Sequence, residues 1–235
     1  MMKKIRLIIV CGILALLSIT SFPQVHTPKI AIANQVDSLL THVYVDPWHN
    51  MYNTKDIFDY GKYSVKELIG KFEASKIEAF ELYTPPWLNN MTYMNFIGKP
   101  SNQLKTWLTT LKQQYDVDYL IVILHKWNPD PDINFKFLNQ KHYGIASYSS
   151  NRDAITLFSL VGYWIFSTDD FREIELNPNH DRYVITNVSL IDRLSFRELK
   201  DLPDSYYQLT SDKLRNVADT RNAEIWRVMN REIAK

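Results

Sequence analysis

Residues 101–124 read SNQLKTWLTTLKQQYDVDYLIVIL. Their first part sets Leu104, Trp107, Leu108, Leu111 and Tyr115 at the three- and four-residue spacing of one helix face. After a short polar link the chain turns apolar without alternation, from Leu120 to Leu124. A strand with no polar side is buried on both faces, as happens to a central strand of a sheet covered by helices. Helix, tight link and doubly buried strand make half of a right-handed crossover unit. The order occurs once before: SVKELIGKFEAS, residues 64–75, carries a capping box of Ser64 and Glu67 and an apolar stripe of Val65, Leu68, Ile69 and Phe72, and the strand KIEAFELY follows it. Two such units predict an α/β protein with early parallel strands.

Outward from this centre, KIAIA (29–33) and LLTHVYV (39–45) read as short strands, followed by a polar loop to Tyr63. Beyond the central strand the character changes. YGIASYSS, DAITLFSLVGYWIFS, FREIEL and RYVITNVSLI are strand-like and joined by polar turns such as STDD and NPNHD, which predicts an antiparallel meander. From about residue 210 to 234, Leu214, Val217, Ala218, Arg221, Ile225, Val228, Met229 and Ile233 share a face, so a long amphipathic helix is expected to lie on the sheet. The fold expected is α/β with α+β character in its second half: a mixed sheet, parallel crossover units, a meander and a carboxyl-terminal helix on one face. No repeat or Gly/Ser linker divides residues 25–235, so they are read as one domain.

The chain has 235 residues, of which 46% are hydrophobic, enough for a sizeable core. Its first two dozen residues, MMKKIRLIIVCGILALLSITSFPQ, pair a basic start with an apolar run from Leu7 to Ile19, the order of a secretory signal peptide cleaved near a small residue such as Ser21. An uncleaved amino-terminal anchor is the alternative. Cys11 lies inside the apolar run, behind Val10, and does not fit a lipid-attachment site. The leader holds three of the 27 basic residues and none of the 26 acidic ones, so the mature chain is slightly acidic and offers no basic field for nucleic acid. Cys11 is also the only cysteine. Its loss with the leader excludes disulfides, thiolate metal sites and a cysteine nucleophile.

The order of helix, the strand in QQYDVDYLIVIL, hairpin strands and closing helix resembles the α/β domain of bacterial envelope accessory proteins. That group includes the amino-terminal domain of the Tol-system translocation protein and the lipoprotein activators of cell-wall synthases. The resemblance spans residues 29–234 and implies a periplasmic or secreted, non-catalytic, partner-binding role. The chain departs from it in lacking a lipid-attachment cysteine and in its aromatic loops.

Those loops supply the candidate site. VDPWHN, TPPWLNN and HKWNPDPD each follow an early strand and set a tryptophan beside a proline. If the strands before them run parallel in one sheet, Trp48, Trp87 and Trp127 gather at the carboxyl edge, where open sheets bind ligands, with His125 and Asp130 at the rim. Indole faces beside carboxylates and amides suit a sugar ring or a proline-rich segment; the plainer alternative is that the indoles pack against one another. The expected partner is therefore an envelope protein or a cell-wall glycan. The competing class is a metal-assisted hydrolase of cell-wall glycan or peptide built on Asp46, His49 and His125, with His42 and His142 as further nitrogen ligands. NPDPDINF lacks the glycine and distal glutamate of a calcium loop. No G-x-S-x-G, P-loop or G-x-G-x-x-G occurs, so no cofactor is expected.

Overall fold

The structure, a computed structural model, describes residues 26–90, 101–125, 142–176, 184–189 and 193–235. The expected leader falls outside them. The described residues form the strands β1 (Lys29–Asn34), β2 (Leu40–Val45), β3 (Asn50–Lys55), β4 (Glu78–Leu82), β5 (Tyr119–His125), β6 (Tyr143–Tyr148), β7 (Asn151–Ser159), β8 (Val161–Ser167) and β9 (Val184–Ser189). The helices are α1 (Tyr60–Ala74), α2 (Asn102–Tyr115), the short α3 (Phe196–Lys200) and α4 (Asp204–Ile233).

The expected class holds, with parallel and antiparallel strands and a long last helix, but the strands divide between two sheets. The first has the order β4-β1-β5-β8, with β1 parallel to both β4 and β5 and β8 antiparallel to β5. The second has the order β3-β2-β6-β7-β9, in which only the β2–β6 pair is parallel. The division follows from chain length. A parallel neighbour in the same sheet needs a crossover of a dozen or more residues, and only residues 35–39 separate β1 from β2.

Residues 153–167, read as one strand-like run, are nearly that. β7 ends at Ser159 in the second sheet and β8 begins at Val161 in the first, with the fully buried Leu160 between them. The Leu160 N–H donates to the His142 carbonyl, 2.7 Å. A strand that changes sheets at a bend makes a corner. The expected meander is therefore split, and of FREIEL only Glu173 bridges, to Phe166.

The two faces of the first sheet pack differently. Ile30, Ile32, Ile121 and Ile123 face α1 through Val65, Leu68 and Phe72, and they continue into a core shared with Leu40, Ile145 and Leu157 of the second sheet and with Leu214, Ile225 and Met229 of α4. Ala31, Ala33, Leu120, Val122 and Leu124 face α2 through Leu104, Leu108 and Leu111. β5 is buried on both sides, as its composition requires, and each fully buried Leu or Ile contributes about 1.5–3 kcal/mol.

Helix boundaries follow their caps. α2 starts behind Ser101, whose hydroxyl accepts from the Leu104 N–H, and ends at Asp116 in the left-handed conformation. α1 starts earlier than its apparent capping box: Asp59 caps it by accepting from the Lys62 N–H. Ser64 is instead a buried internal residue whose hydroxyl donates to Asn222 Oδ1 of α4, 2.8 Å, and lies 2.7 Å from the Tyr163 hydroxyl. The polar stretch before it holds β3, an edge strand paired antiparallel with β2. α4 runs 30 residues, starting before the expected 210. Arg221, on its buried face, donates to the Val161 carbonyl and lies within 3.5 Å of the Ser159 and Tyr60 hydroxyls.

A second polar chain ties α4 to the second sheet. The Tyr207 hydroxyl is 3.1 Å from His42 Nδ1, His42 Nε2 is 2.7 Å from Ser147 Oγ, and Ser147 donates to the Leu199 carbonyl, 2.5 Å. Since Ser147 gives its proton to Leu199, it accepts from His42 Nε2–H, which leaves Nδ1 to accept from Tyr207. Burial, partly offset by Asp201, lowers the His42 pKa to about 4, so the ring is neutral. Among the described residues no helix is long and apolar enough to cross a membrane.

Candidate functional site

β1, β4 and β5 run parallel, and the β1–β4 and β4–β5 connections carry α1 and α2 on opposite faces of the sheet. Loops that leave neighbouring strands toward opposite faces open a crevice at the strands' carboxyl ends. A cleft of about 990 Å³ lies there. The end of β1 contributes Asn34, Gln35 and Asp37, the end of β4 contributes Glu81, Tyr83 and Thr84, and His125 and His142 bring in the end of β5 and the start of β6. The cleft therefore sits where the chain passes between the two sheets.

Its walls are tied together. The Gln35 N–H donates to the Ile123 carbonyl, 2.8 Å, and the Thr84 hydroxyl to the Asn34 carbonyl, 2.7 Å. The Gln35 side-chain amide donates to the Leu88 carbonyl. Asn34 turns its side-chain oxygen back to accept from the Val36 N–H, 3.0 Å, an Asx turn. This amide lies against Gly61 of α1, where an added Cβ would come within 2.3 Å of Asn34 Nδ2. The Asp37 N–H donates to His142 Nδ1, 2.7 Å. A nitrogen that accepts cannot also donate, so His142 carries its proton on Nε2, and the Asp37 carboxylate 3.3 Å from Nδ1 is a near neighbour rather than an acceptor.

The His125 and His142 rings lie 4.9 Å apart, tilted by 40°. Burial, then the adjacent His142, lowers the His125 pKa to about 4, and Asp37 offsets this only in part. His125 is thus neutral. Its Nε2 is buried and finds no hydrogen-bond partner among the described residues, a condition that buried polar atoms rarely tolerate.

Of the described residues named from sequence, His125 and His142 line this cleft. Trp127 and Asp130 lie outside the described residues. Trp48 sits in the turn between β2 and β3, in the second sheet, and at 90% exposed it packs against almost nothing, so it does not join Trp87 in one surface. Trp87, in a 3₁₀ turn after β4, packs edge-on against Trp107 of α2, ring centres 5.5 Å apart. The expected convergence of three indoles required β2 to lie in the parallel sheet, and it does not. Asp46 and His49 do meet, 3.1 Å apart, in the β2–β3 turn, where the His49 and Trp48 N–H groups outweigh desolvation and lower the Asp46 pKa. His125 stands elsewhere, and His42 is enclosed by Ser147 and Tyr207. Among the described residues no three His, Cys, Asp or Glu side chains cluster as a metal site.

Sequence reading passed over Asn34, Gln35, Asp37, Tyr83 and Thr84. The signal was the ANQVD that ends the first strand, polar residues where a buried parallel strand stops.

The fold and cleft define a two-sheet α/β protein with a polar, hydrogen-bonding crevice at a strand switch point. No family model and no curated protein matches the chain. Among solved structures it is similar to a DUF330 protein from Xanthomonas campestris, at a TM-score of 0.35 and 8% identity over 92% of this chain and 93% of that one. It is also similar to a lipoprotein from Neisseria meningitidis, at 0.30 and 10% identity over 79% and 99%. Neither is the Tol-system protein to which the order of elements was likened. Scores this low say nothing of function, which rests on the residues described above.

Proposed function

We propose that this chain is an exported binding protein of the bacterial cell envelope that holds an envelope component in the cleft at the carboxyl ends of β1, β4 and β5. The observation that carries this reading is the cleft itself: a crevice at a topological switch point, its walls fixed to one another by the Thr84–Asn34, Gln35–Ile123 and Asp37–His142 hydrogen bonds. Fixed walls favour binding because little conformational freedom is lost when a ligand enters. The leader supports the compartment. Asp46 and His49, which the competing metal-assisted reading needs together with His125, pair in the β2–β3 turn, while His125 lines the cleft.

Co-sedimentation with purified envelope fractions tests this. The protein should be retained, and a Glu81→Ala/Tyr83→Ala double variant, altered only at exposed positions, should be released while melting as the parent does. Equal retention of both proteins would move the site away from the cleft. Release of soluble wall fragments by the parent would make it an enzyme.

A further inference from the structure

Resting on that reading, we infer that the cleft takes a neutral, hydroxyl-rich glycan of the cell-wall type, with Tyr83 as the platform for a sugar ring. Tyr83 is 83% exposed at the rim of the cleft. An aromatic ring left in water at a concave site offers a flat apolar face to the C–H face of a pyranose and a hydroxyl to its edge. Behind it the polar groups are of both kinds. Asn34 has committed only its oxygen, to Val36, and Gln35 only its amide nitrogen, to Leu88. Among the described residues this leaves the Asn34 N–H₂ as donor and the Gln35 oxygen as acceptor, with the carboxylates of Asp37 and Glu81 as further acceptors.

A sugar hydroxyl donates and accepts at once, so a polyol satisfies such a mixed set. A purely anionic ligand would face Asp37 and Glu81 with no lysine or arginine among the described lining residues. His125 and His142 line the same cleft and add no cation-binding carboxylate to it. The volume of about 990 Å³ lies at the upper end of small-ligand clefts, enough for more than one ring.

Isothermal titration with the neutral tetramer of N-acetylglucosamine tests the assignment, with an anionic galacturonate tetramer as the contrasting probe. Saturable binding of the neutral tetramer is expected. Tyr83→Ala should weaken it at least about tenfold with the melting temperature unchanged, as for a contact aromatic, and Trp48→Ala should leave it as it was. Tighter binding of the anionic tetramer overturns the ligand class, and so does neutral binding that follows Trp48 rather than Tyr83. If neither tetramer binds while envelope retention still depends on Glu81 and Tyr83, the glycan is wrong and the binding function stands. If retention is also independent of them, both readings fall.

Discussion

Acidification from pH 7.5 to 5 should destabilise this protein through His42, over a range in which most carboxylates stay ionised. The His42 pKa falls from 6.5 to about 4 on folding, chiefly through burial. Between these values the unfolded chain binds a proton that the folded chain refuses, so stability is intact above 6.5 and is lost as pH falls toward 4. At about 1.4 kcal/mol per unit, the loss at pH 5 is about 2 kcal/mol from this one ring. The structural cause is the chain Tyr207–His42–Ser147–Leu199, in which both ring nitrogens are committed and a second ring proton would face the Tyr207 hydroxyl. His125 titrates over the same window, so its share is removed by comparison. Urea unfolding of wild type and His42→Gln at pH 7.5, 6.5, 5.5 and 5 gives the measurement. The variant should be less stable at pH 7.5, having lost hydrogen bonds worth about 1 kcal/mol each, yet its stability should fall by about 2 kcal/mol less on acidification. Parallel pH profiles would refute a buried neutral His42.

Gly144→Ala should cost roughly 3 kcal/mol or more in chemical denaturation, because Gly144 has φ +151 and a Cβ there would lie 1.8 Å from the Thr41 carbonyl oxygen across the β2–β6 pair. Met229→Asp should cost about 4 kcal/mol by placing an unpaired carboxylate on the fully buried face of α4; an unchanged melting curve would undock that helix. Trp87→Ala should lose about 2–3 kcal/mol through its contact with Trp107, whereas Trp48→Ala should stay within about 0.5 kcal/mol, and iodide should quench Trp48 but not the buried Trp164. Gly61→Ala should displace the Asn34 amide, seen as loss of the Val36 N–H protection in hydrogen exchange, and should weaken binding in the cleft.

The strongest sequence signals were those set by burial. β5 announced itself because a strand covered by helices on both faces has no polar side, and α2 because Ser101 caps a regular apolar stripe. What the sequence hid was pairing. β2 looks like any short strand, and only the shortness of residues 35–39 shows that it cannot be the parallel neighbour of β1. The same oversight bears on Trp48: with β2 in the second sheet, it stands in the β2–β3 turn rather than at the end of a strand of the first sheet, and the polar end of β1 was passed over. Ser64 misled for a local reason, since a serine three residues before a glutamate fits a capping box whether it begins a helix or lies within one.

Leu160 is the single residue between a strand of one sheet and a strand of the other. Because side chains alternate faces residue by residue, the pairing chosen by β7 leaves no slack in which β8 could choose another. The two sheets are coupled like rails spiked to one sleeper: a one-residue slip in either would turn the wrong side chains into both layers of the core. Mispaired intermediates are thereby penalised twice, and an insertion at position 160 should be tolerated far worse than a substitution there.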